Sequence, residues 1–502
     1  MEPAILSYNI KQPKFSDFKE PRVVCLITAN GGGTKLLQSY LDSHPQLYNI
    51  PAYPLLYFYP HWEKWEKELA DNWNWASIID MFCYKHASVI DSRRIKGMNG
   101  LDRLGENRDE YVSIDEELFR FYLRSILREE EIKRRTFLLA VQYAYSLCKG
   151  EDISKKLVFL WHHHAYEYIE ECMKDFPDAI LIGMIRDPRP KVYRSFRTYC
   201  NVNDIKLNET DSMIYRSRVF YNANLHIFGK LQRLKPFIDE DRVYFIRHED
   251  LALNLEGIMK GLSSLLGIEF IESMLTSTYD GKIWWGHEVY DIPNETGKYK
   301  DVSKAIERVV SKEWQKRCPK IEVFVLEGIF FDFYKKYKYD LLYYKKDTIL
   351  YRILLCMAIL WPFRIERQVF LFYFSPRSHI CLLSAAYKES KSKTRRKDYT
   401  WNATYHFKWN YAGLNLWKPR WYRRFLDFSE DLALSKKVWS VFIVGLLFIS
   451  RILYIFITYM RFWFAGLTYP LKYFKRVGLY YSCFFRRINN RLYLAKLFEV
   501  EE

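Results

Sequence analysis

An α/β fold, with a central parallel sheet flanked by helices, is predicted for the first two thirds of this 502-residue chain. Three observations carry that prediction. Short apolar runs recur at Val23–Thr28, Lys156–Trp161, Ala179–Ile185 and Arg242–Arg247. Helical patterns alternate with them as far as Leu266, the rhythm of βαβ units. The first run feeds straight into Gly31-Gly32-Gly33, a strand turning into a helix.

Taken in order, VVCLIT (23–28) is β-branched and apolar throughout, as a buried parallel strand requires. After the glycines, Leu36, Leu37, Tyr40 and Leu41 recur at helical spacing. That helix stops before His44-Pro45, because proline disfavours a helical residue ahead of it. Residues 51–85 are aromatic and proline-punctuated at first, then helical, and 113–149 read as two charged amphipathic helices. KLVFLW (156–161) is a second buried strand, followed by a helix over 165–174. AILIGMI (179–185) is a third, entering Arg186-Asp187-Pro188-Arg189-Pro190 and another helix from about Lys191. RVYFIR (242–247) is the fourth, and a helical stretch follows it.

Past Tyr339 the character changes. Residues 341–502 hold 28 Lys and Arg against 10 Asp and Glu, while 1–340 hold 49 against 50. The whole net charge of +17 therefore lies in the last third, which predicts a segment that meets something anionic. Ile349–Phe363 and Val438–Met460 are strongly apolar, and Lys391–Lys397 reads as an exposed linker. Arg352 and Arg451 interrupt the apolar runs, so interfacial helices on an anionic membrane surface are expected, with a single span at 438–460 and a soluble helical domain as the alternatives. The division expected is 1–20 as an extension, 21–340 as the catalytic domain, and 341–502 as a basic, aromatic, helical, membrane-associated region. No nucleic-acid-binding motif accompanies the charge. Nine scattered cysteines without a CxxC pair suit a reducing compartment. The N-terminus lacks the pattern of a signal peptide, so the cytosolic face of a membrane is the expected location. Phe, Tyr and Trp make up 18% of the residues, an excess that composition alone does not explain.

A glycine-rich loop between strand and helix is an anion site, since free N–H groups converge there and the helix dipole favours negative charge. Lys35 adds a cation one residue into the helix. Taken alone, such a turn also reads as a tight connection. Arg186 follows another predicted strand, with Ser195 on the helix beyond, and ligands of open α/β sheets bind past the carboxyl ends of strands. Two anion-binding loops in one sheet suit a nucleotide with two separated phosphate groups.

At this point the chain resembles the sulfotransferase family, a P-loop-like fold whose members use 3′-phosphoadenosine-5′-phosphosulfate (PAPS). Gly31-Gly32-Gly33-Thr34-Lys35-Leu36-Leu37 stands where that family has its 5′-phosphosulfate loop, and Leu41-Asp42-Ser43-His44-Pro45 resembles the L-x-x-H-P that follows. Phe176-Pro177-Asp178-Ala179 and Arg186-Asp187-Pro188-Arg189 resemble its F-P-D-A…R-D-P-R run. His248-Glu249-Asp250-Leu251 and Leu265-Leu266-Gly267 resemble its later segment, and Thr278–Gly286 the loop that closes over the cofactor. Two departures stand out: Gly31 replaces the loop cation, and Ser195 lies nine residues after Arg186 where eight is usual.

The resemblance implies PAPS as sulfuryl donor, no metal, and Gly31, Gly32, Gly33, Thr34, Lys35, Arg186, Ser195 and Lys282 as cofactor-binding residues. Lys35 takes a catalytic role on the migrating group, in a reaction governed by positioning and electrostatics. The general base is expected among Trp161-His162-His163-His164, with His163 or His164 preferred, and His61, Glu63 and His86 are further candidates. Glycan or lipid-linked glycan acceptors are expected, and Trp284 or Trp285 stacks on a sugar or fills core. The competing readings are a catalytically inactive scaffold at a membrane and another nucleotide-dependent transferase.

Overall fold

The computed structural model describes residues 12–28, 33–52, 54–94, 100–164, 168–189, 235–238, 241–286, 315, 319–391, 440–489, 494 and 496–499. Two compact units share the chain. Met1–Asp187, His226–Lys312 and Leu492–Glu502 form the first, and Pro188–Leu225 with Glu313–Arg491 form the second. Spatial clustering thus divides the chain at other points than the step in charge at 340/341. The expected helix from Lys191 and most of the Lys391–Lys397 linker lie outside the described residues.

In the first unit, β1 (Arg22–Thr28), β2 (Leu47–Asn49), β3 (Val158–His164), β4 (Ile180–Ile185) and β5 (Val243–Arg247) form a parallel sheet. A short hairpin of β6 (Thr278–Tyr279) and β7 (Lys282–Ile283) stands apart. The strand β8 (Lys496–Leu497) then adds to β5, giving the order β2-β3-β1-β4-β5-β8. The four apolar runs are β1, β3, β4 and β5, with β3 reaching three residues further, to His164. β2 and β8 are three and two residues long, too short to leave a period in the sequence.

Besides a single turn at Lys235–Ile238, the helices described in this unit are α1 (Thr34–Tyr40), α2 (Phe58–Glu68), α3 (Trp75–Lys85), α4 (Glu116–Leu127), α5 (Arg134–Cys148), α6 (Ile169–Asp175), α7 (His248–Leu253) and α8 (Leu255–Leu266). Local chemistry sets several of their ends. Asn74, Asp115 and Asn254 cap α3, α4 and α8 by accepting from the N–H groups of Ser77, Leu118 and Gly257. One sheet face buries Val24, Leu26, Leu160 and Ile182 against Leu37 and Leu41 of α1 and Ile258, Met259 and Leu262 of α8.

The other face is aromatic. Trp161 meets Tyr59 at 5.5 Å and Phe159 meets Phe176 at 5.9 Å. Beyond them Phe137 lies among Phe58, Trp62, Trp75 and Phe82, with ring centroids 5.2 to 6.1 Å apart. Part of the aromatic excess is this interior layer, in which each ring buries a large apolar area in offset or edge-on contact.

The second unit is helical: α9 (Lys320–Ile329), α10 (Phe331–Lys336), α11 (Ile349–Leu360), α12 (Arg364–Phe374), α13 (Pro376–Lys391) and α14 (Ser440–Ile488). Its interior holds charge. Glu327 is fully buried, and its carboxylate accepts from the N–H groups of Leu342, Tyr343 and Tyr344 and from Arg189 Nη1 at 2.6 Å. From Ser440 onward, the apolar run that the sequence shows as far as Met460 belongs to one 49-residue helix, which continues through Pro470 to Ile488. Within it Gly445–Thr468 is long and apolar enough to cross a bilayer.

Truncating Phe137 to Ala is expected to cost about 3–5 kcal/mol, because the ring is fully buried. Tyr84, 74% exposed, should tolerate the same change within about 0.5 kcal/mol. Denaturant midpoints of the two variants, compared with the parent, check this.

Candidate functional site

Strand order brings the candidate residues to one edge. β1 lies between β3 and β4, so the chain leaves it where the sheet order reverses, the usual ligand crevice of open α/β sheets. Thr28 pairs with Met184, two residues before Arg186, and Ile27 pairs with His164. The glycine turn, the Arg186 loop and the histidine run therefore leave neighbouring strands at their carboxyl ends. Gly31, Gly32 and Ser195 lie outside the described residues, as does the side chain of His164.

Gly33 precedes α1 with φ of +103°, and a Cβ there would lie 2.6 Å from His248 Cδ2. Only glycine suits both the conformation and the contact. Thr34 is buried and Lys35 half-buried in the first turn of α1. Burial lowers the Lys35 amine to about 7 by disfavouring its charged form. An anion bound beside it would restore the proton.

Arg186 follows β4. Its Nε and Nη1 atoms are buried with no hydrogen-bond partner among the described residues. A buried guanidinium left in that state is costly unless a counter-anion completes it. Next to it, the Asp187 N–H donates to Glu249 Oε1 at 3.2 Å. Burial first, then the charge of Asp187, raises the Glu249 carboxyl above its usual range. The H-E-D-L segment at the start of α7 thus packs against both loops, His248 on Gly33 and Glu249 on Asp187.

The histidines divide by side. The β1–β3 register slips by one residue between Cys25 and Ile27, a bulge within the histidine run. His163 turns to the aromatic face, edge-on to Trp161 at 4.9 Å. Burial drives its ring down to about 3, so it stays neutral there. His162 turns to α1, where its Nδ1 lies 2.7 Å from Gln38 Oε1. Gln38 Nε2 donates to Ile50 O at 2.9 Å and to Asn49 Oδ1 at 2.8 Å. A carbonyl only accepts, so the amide orientation is fixed and Oε1 must accept from His162. Nδ1 therefore carries the proton, and Nε2 is the basic nitrogen of the neutral ring. The preference for His163 or His164 passed over this residue. The signal that could have found it is strand parity, which puts His162 on the α1 side.

Lys282 is held within the hairpin, its Nζ donating to Tyr111 O at 2.9 Å and lying 3.2 Å from Asp280. That hairpin is fastened to α1. Tyr279 Oη donates to Lys35 O at 2.8 Å, the Ser39 and Ser277 hydroxyls meet at 2.7 Å, and the buried Asp42 accepts from Gly281 N at 3.0 Å. Trp284 is core, edge-on to Tyr279 and packed with Leu101, Leu104 and Val112. Trp285 is half-exposed under the Arg108 guanidinium at 4.2 Å. His44 serves structure, its Nε2 donating to Glu269 O at 2.8 Å while Nδ1 accepts from Gln46 N. His61 and His86 form a pair, Nδ1 to Nε2 at 3.1 Å. Among the described residues no group of three or more potential ligands could hold a metal ion.

The family model described as Sulfotransferase family matches residues 26–272. Similar solved structures include the sulfotransferase domain from the Synechococcus PCC 7002 olefin synthase, 15% identical over 66% of this chain and 99% of that one, with a TM-score of 0.35. The sulfotransferase domain from the curacin biosynthetic pathway is 18% identical over 64% and 100%, with a TM-score of 0.33. The sulfotransferase STF9 from Mycobacterium avium is 12% identical over 65% and 79%, with a TM-score of 0.31. No curated protein matches the chain.

Replacing Gln38 with Ala strands His162, Asn49 and the Ile50 carbonyl at once. Stability should fall by about 1–3 kcal/mol, read as a lower thermal midpoint.

Proposed function

Residues 26–272 carry a sulfotransferase-family domain, and on that premise we propose that the chain transfers a sulfuryl group from PAPS to a hydroxyl or amine acceptor. The observation that carries the donor is Arg186, whose Nε and Nη1 are buried without a partner at the carboxyl end of β4. A polyanionic nucleotide supplies what that side chain lacks, and the residues present therefore fit PAPS. When bound, PAPS supplies the activated sulfuryl group and a phosphate leaving group.

The roles proposed for the protein groups are these. Arg186 holds a phosphate by charge-assisted hydrogen bonds, and Ser195 adds a hydroxyl to the same group. The Gly31–Thr34 turn and the Lys35 ammonium hold the phosphosulfate end, where negative charge develops. Lys35 takes over the part of the cation absent at Gly31. Lys282, on the hairpin fastened to α1, steadies the loop over the donor. His162 Nε2 is the better placed base, receiving the acceptor proton while Gln38 keeps the ring in the required tautomer. His163 supports the strand end from the aromatic side, and His164 extends it.

A glycan or lipid-linked glycan at the cytosolic face of a membrane is the proposed acceptor. The +18 of residues 341–502 draws that region to anionic headgroups. This half of the proposal rests on charge and on the aromatic loops.

Calorimetry with 3′-phosphoadenosine-5′-phosphate (PAP) on the full chain is the direct test. Binding is expected, and its absence would return the chain to the scaffold reading. Arg186→Ala should abolish binding with the thermal midpoint close to the parent's, since the change removes two nitrogens that are buried without a hydrogen-bond partner among the described residues. In a transfer assay with labelled PAPS, Lys35→Ala should remove most activity.

The pH dependence follows from Lys35. Below about 7 the free protein already carries the ammonium, and above it binding must first recharge the amine. PAP affinity should therefore fall as pH rises, by up to about tenfold per unit. Lys35→Arg, charged throughout, should flatten that slope. A slope that survives in the Arg variant would assign the dependence to another group.

A further inference from the structure

We infer that the helices of the second unit are seated in the hydrocarbon of a lipid bilayer, not spread on its surface. The inference sharpens the membrane attachment proposed above and is independent of the chemistry of the sheet. It rests on an inversion of side-chain polarity. In a protein surrounded by water, charged groups lie outside and large apolar groups inside. Here many large apolar groups lie outside, and some charged groups lie inside.

α14 shows it most plainly. Its buried stripe runs through Ser450, Tyr454, Thr458 and Phe462, then Arg476, Tyr480 and Arg487. Its open side carries Leu453, Phe456, Met460, Phe464, Leu467 and Phe474, with Leu467 77% exposed. α11 also exposes large apolar groups, Ile349, Ile353 and Met357, while its buried residues, Leu355 and Ile359, are apolar too. Of the 32 large apolar side chains exposed among the described residues, 27 lie between Ile349 and Phe485. An exposed apolar surface of that extent is not stable in water.

The interior charges are paired as a low-dielectric medium demands. Arg476 binds Glu366 through two hydrogen bonds of 2.9 and 2.7 Å, and Arg487 binds Asp347 through two of 3.0 and 2.9 Å. Hydroxyls on α14 return to the helix itself: Ser450 to Leu447 O, Thr458 to Tyr454 O and Thr468 to Phe464 O. Without water nearby, polar groups must be satisfied from within.

Length agrees as well. Gly445–Thr468 is 24 residues, about 36 Å of helix, against about 30 Å of hydrocarbon. Because β8 beyond it pairs with β5 ahead of it, the chain between them must enter and leave the bilayer on the same side. Its two cations are accommodated differently. Arg451 is half-buried, and its Nε is buried with no hydrogen-bond partner among the described residues, an exception to the pairing above. Arg461 stands seven residues before Thr468, about 10 Å from that end, within reach of the headgroups for a snorkelling side chain.

The test uses the full chain expressed in cells and followed by immunoblot, with no assay of activity. Membranes are washed with molar salt, then with alkaline carbonate, then extracted with a mild detergent. Retention through both washes and release only by detergent is the expected result. Release by salt would reduce the attachment to headgroup charge, and release by carbonate would also overturn insertion. A detergent-free soluble dimer would assign the apolar surface to a second copy of the chain. As a second measurement, Phe456→Glu combined with Leu467→Glu should lower the carbonate-resistant fraction by about tenfold or more. PAP calorimetry on the extracted protein separates the two proposals. Carbonate release with PAP binding intact sinks insertion alone, and retention without PAP binding sinks the sulfuryl reading alone.

Discussion

The pairing of β1 with β3 on one side and β4 on the other is the constraint on which the rest of the first unit depends. Parallel hydrogen bonding aligns the carboxyl ends of the three strands. The Gly33 turn, the histidine run and Arg186 then lie at the same edge, although Gly33 is more than a hundred positions from the other two in sequence. A slip of one residue in either pairing would exchange the two faces and turn His162 away from Gln38. The actual slip, the bulge beside Leu26, falls inside the histidine run. The aromatic layer under β3 and the aliphatic layer under β1 hold that register, because each accepts only one of the two faces.

What could be read in the sequence followed from repetition. Apolar runs of five to seven residues announced β1, β3, β4 and β5, and glycine beside an apolar strand announced the first loop. Those signals are local, and local chemistry produces them. What escaped was produced by distance. Gln38 looks like any polar helix residue until β2 and β3 come together around it, and only then does it orient a histidine. Glu249 and His248 lie in a recognisable motif, yet their contacts with Asp187 and Gly33 exist only because β5 lies beside β4. The pairing of Trp284 with core and Trp285 with Arg108 was equally out of reach, since adjacent residues with identical side chains differ only in which way the backbone turns them.

Charge misleads at the scale of single segments in the second unit. The excess of cations suggested a surface-lying region, and interruptions such as Arg451 shortened the apparent apolar runs. In the structure Arg189, Arg476 and Arg487 are interior, each beside a carboxylate, while Arg461, Lys475 and Arg486 are exposed, and the long helix passes Arg451 without ending. Counting apolar residues along the chain averages the two sides of a helix together. The side-by-side distribution, visible only after packing, carries the physical meaning. The aromatic excess divides between an interior layer in the first unit and, in the second, both buried rings such as Tyr344, Phe462 and Tyr480 and exposed ones such as Phe456 and Phe474.

The last strand of the sheet, β8, pairs Lys496 with Tyr244 and Leu497 with Phe245. Between those partners in the chain lie all the described helices of the second unit from α9 to α14. During synthesis, five strands can assemble while β5 still presents an unpaired edge, and the sixth is added only after the 49-residue helix has emerged. Closing so large a loop for two residues of strand gains little stability. It does make completion of the sheet report that the whole intervening segment has been made. A chain arrested or cut within α14 would keep its five-stranded core and expose the β5 edge to other strands, the state in which aggregation and quality control compete.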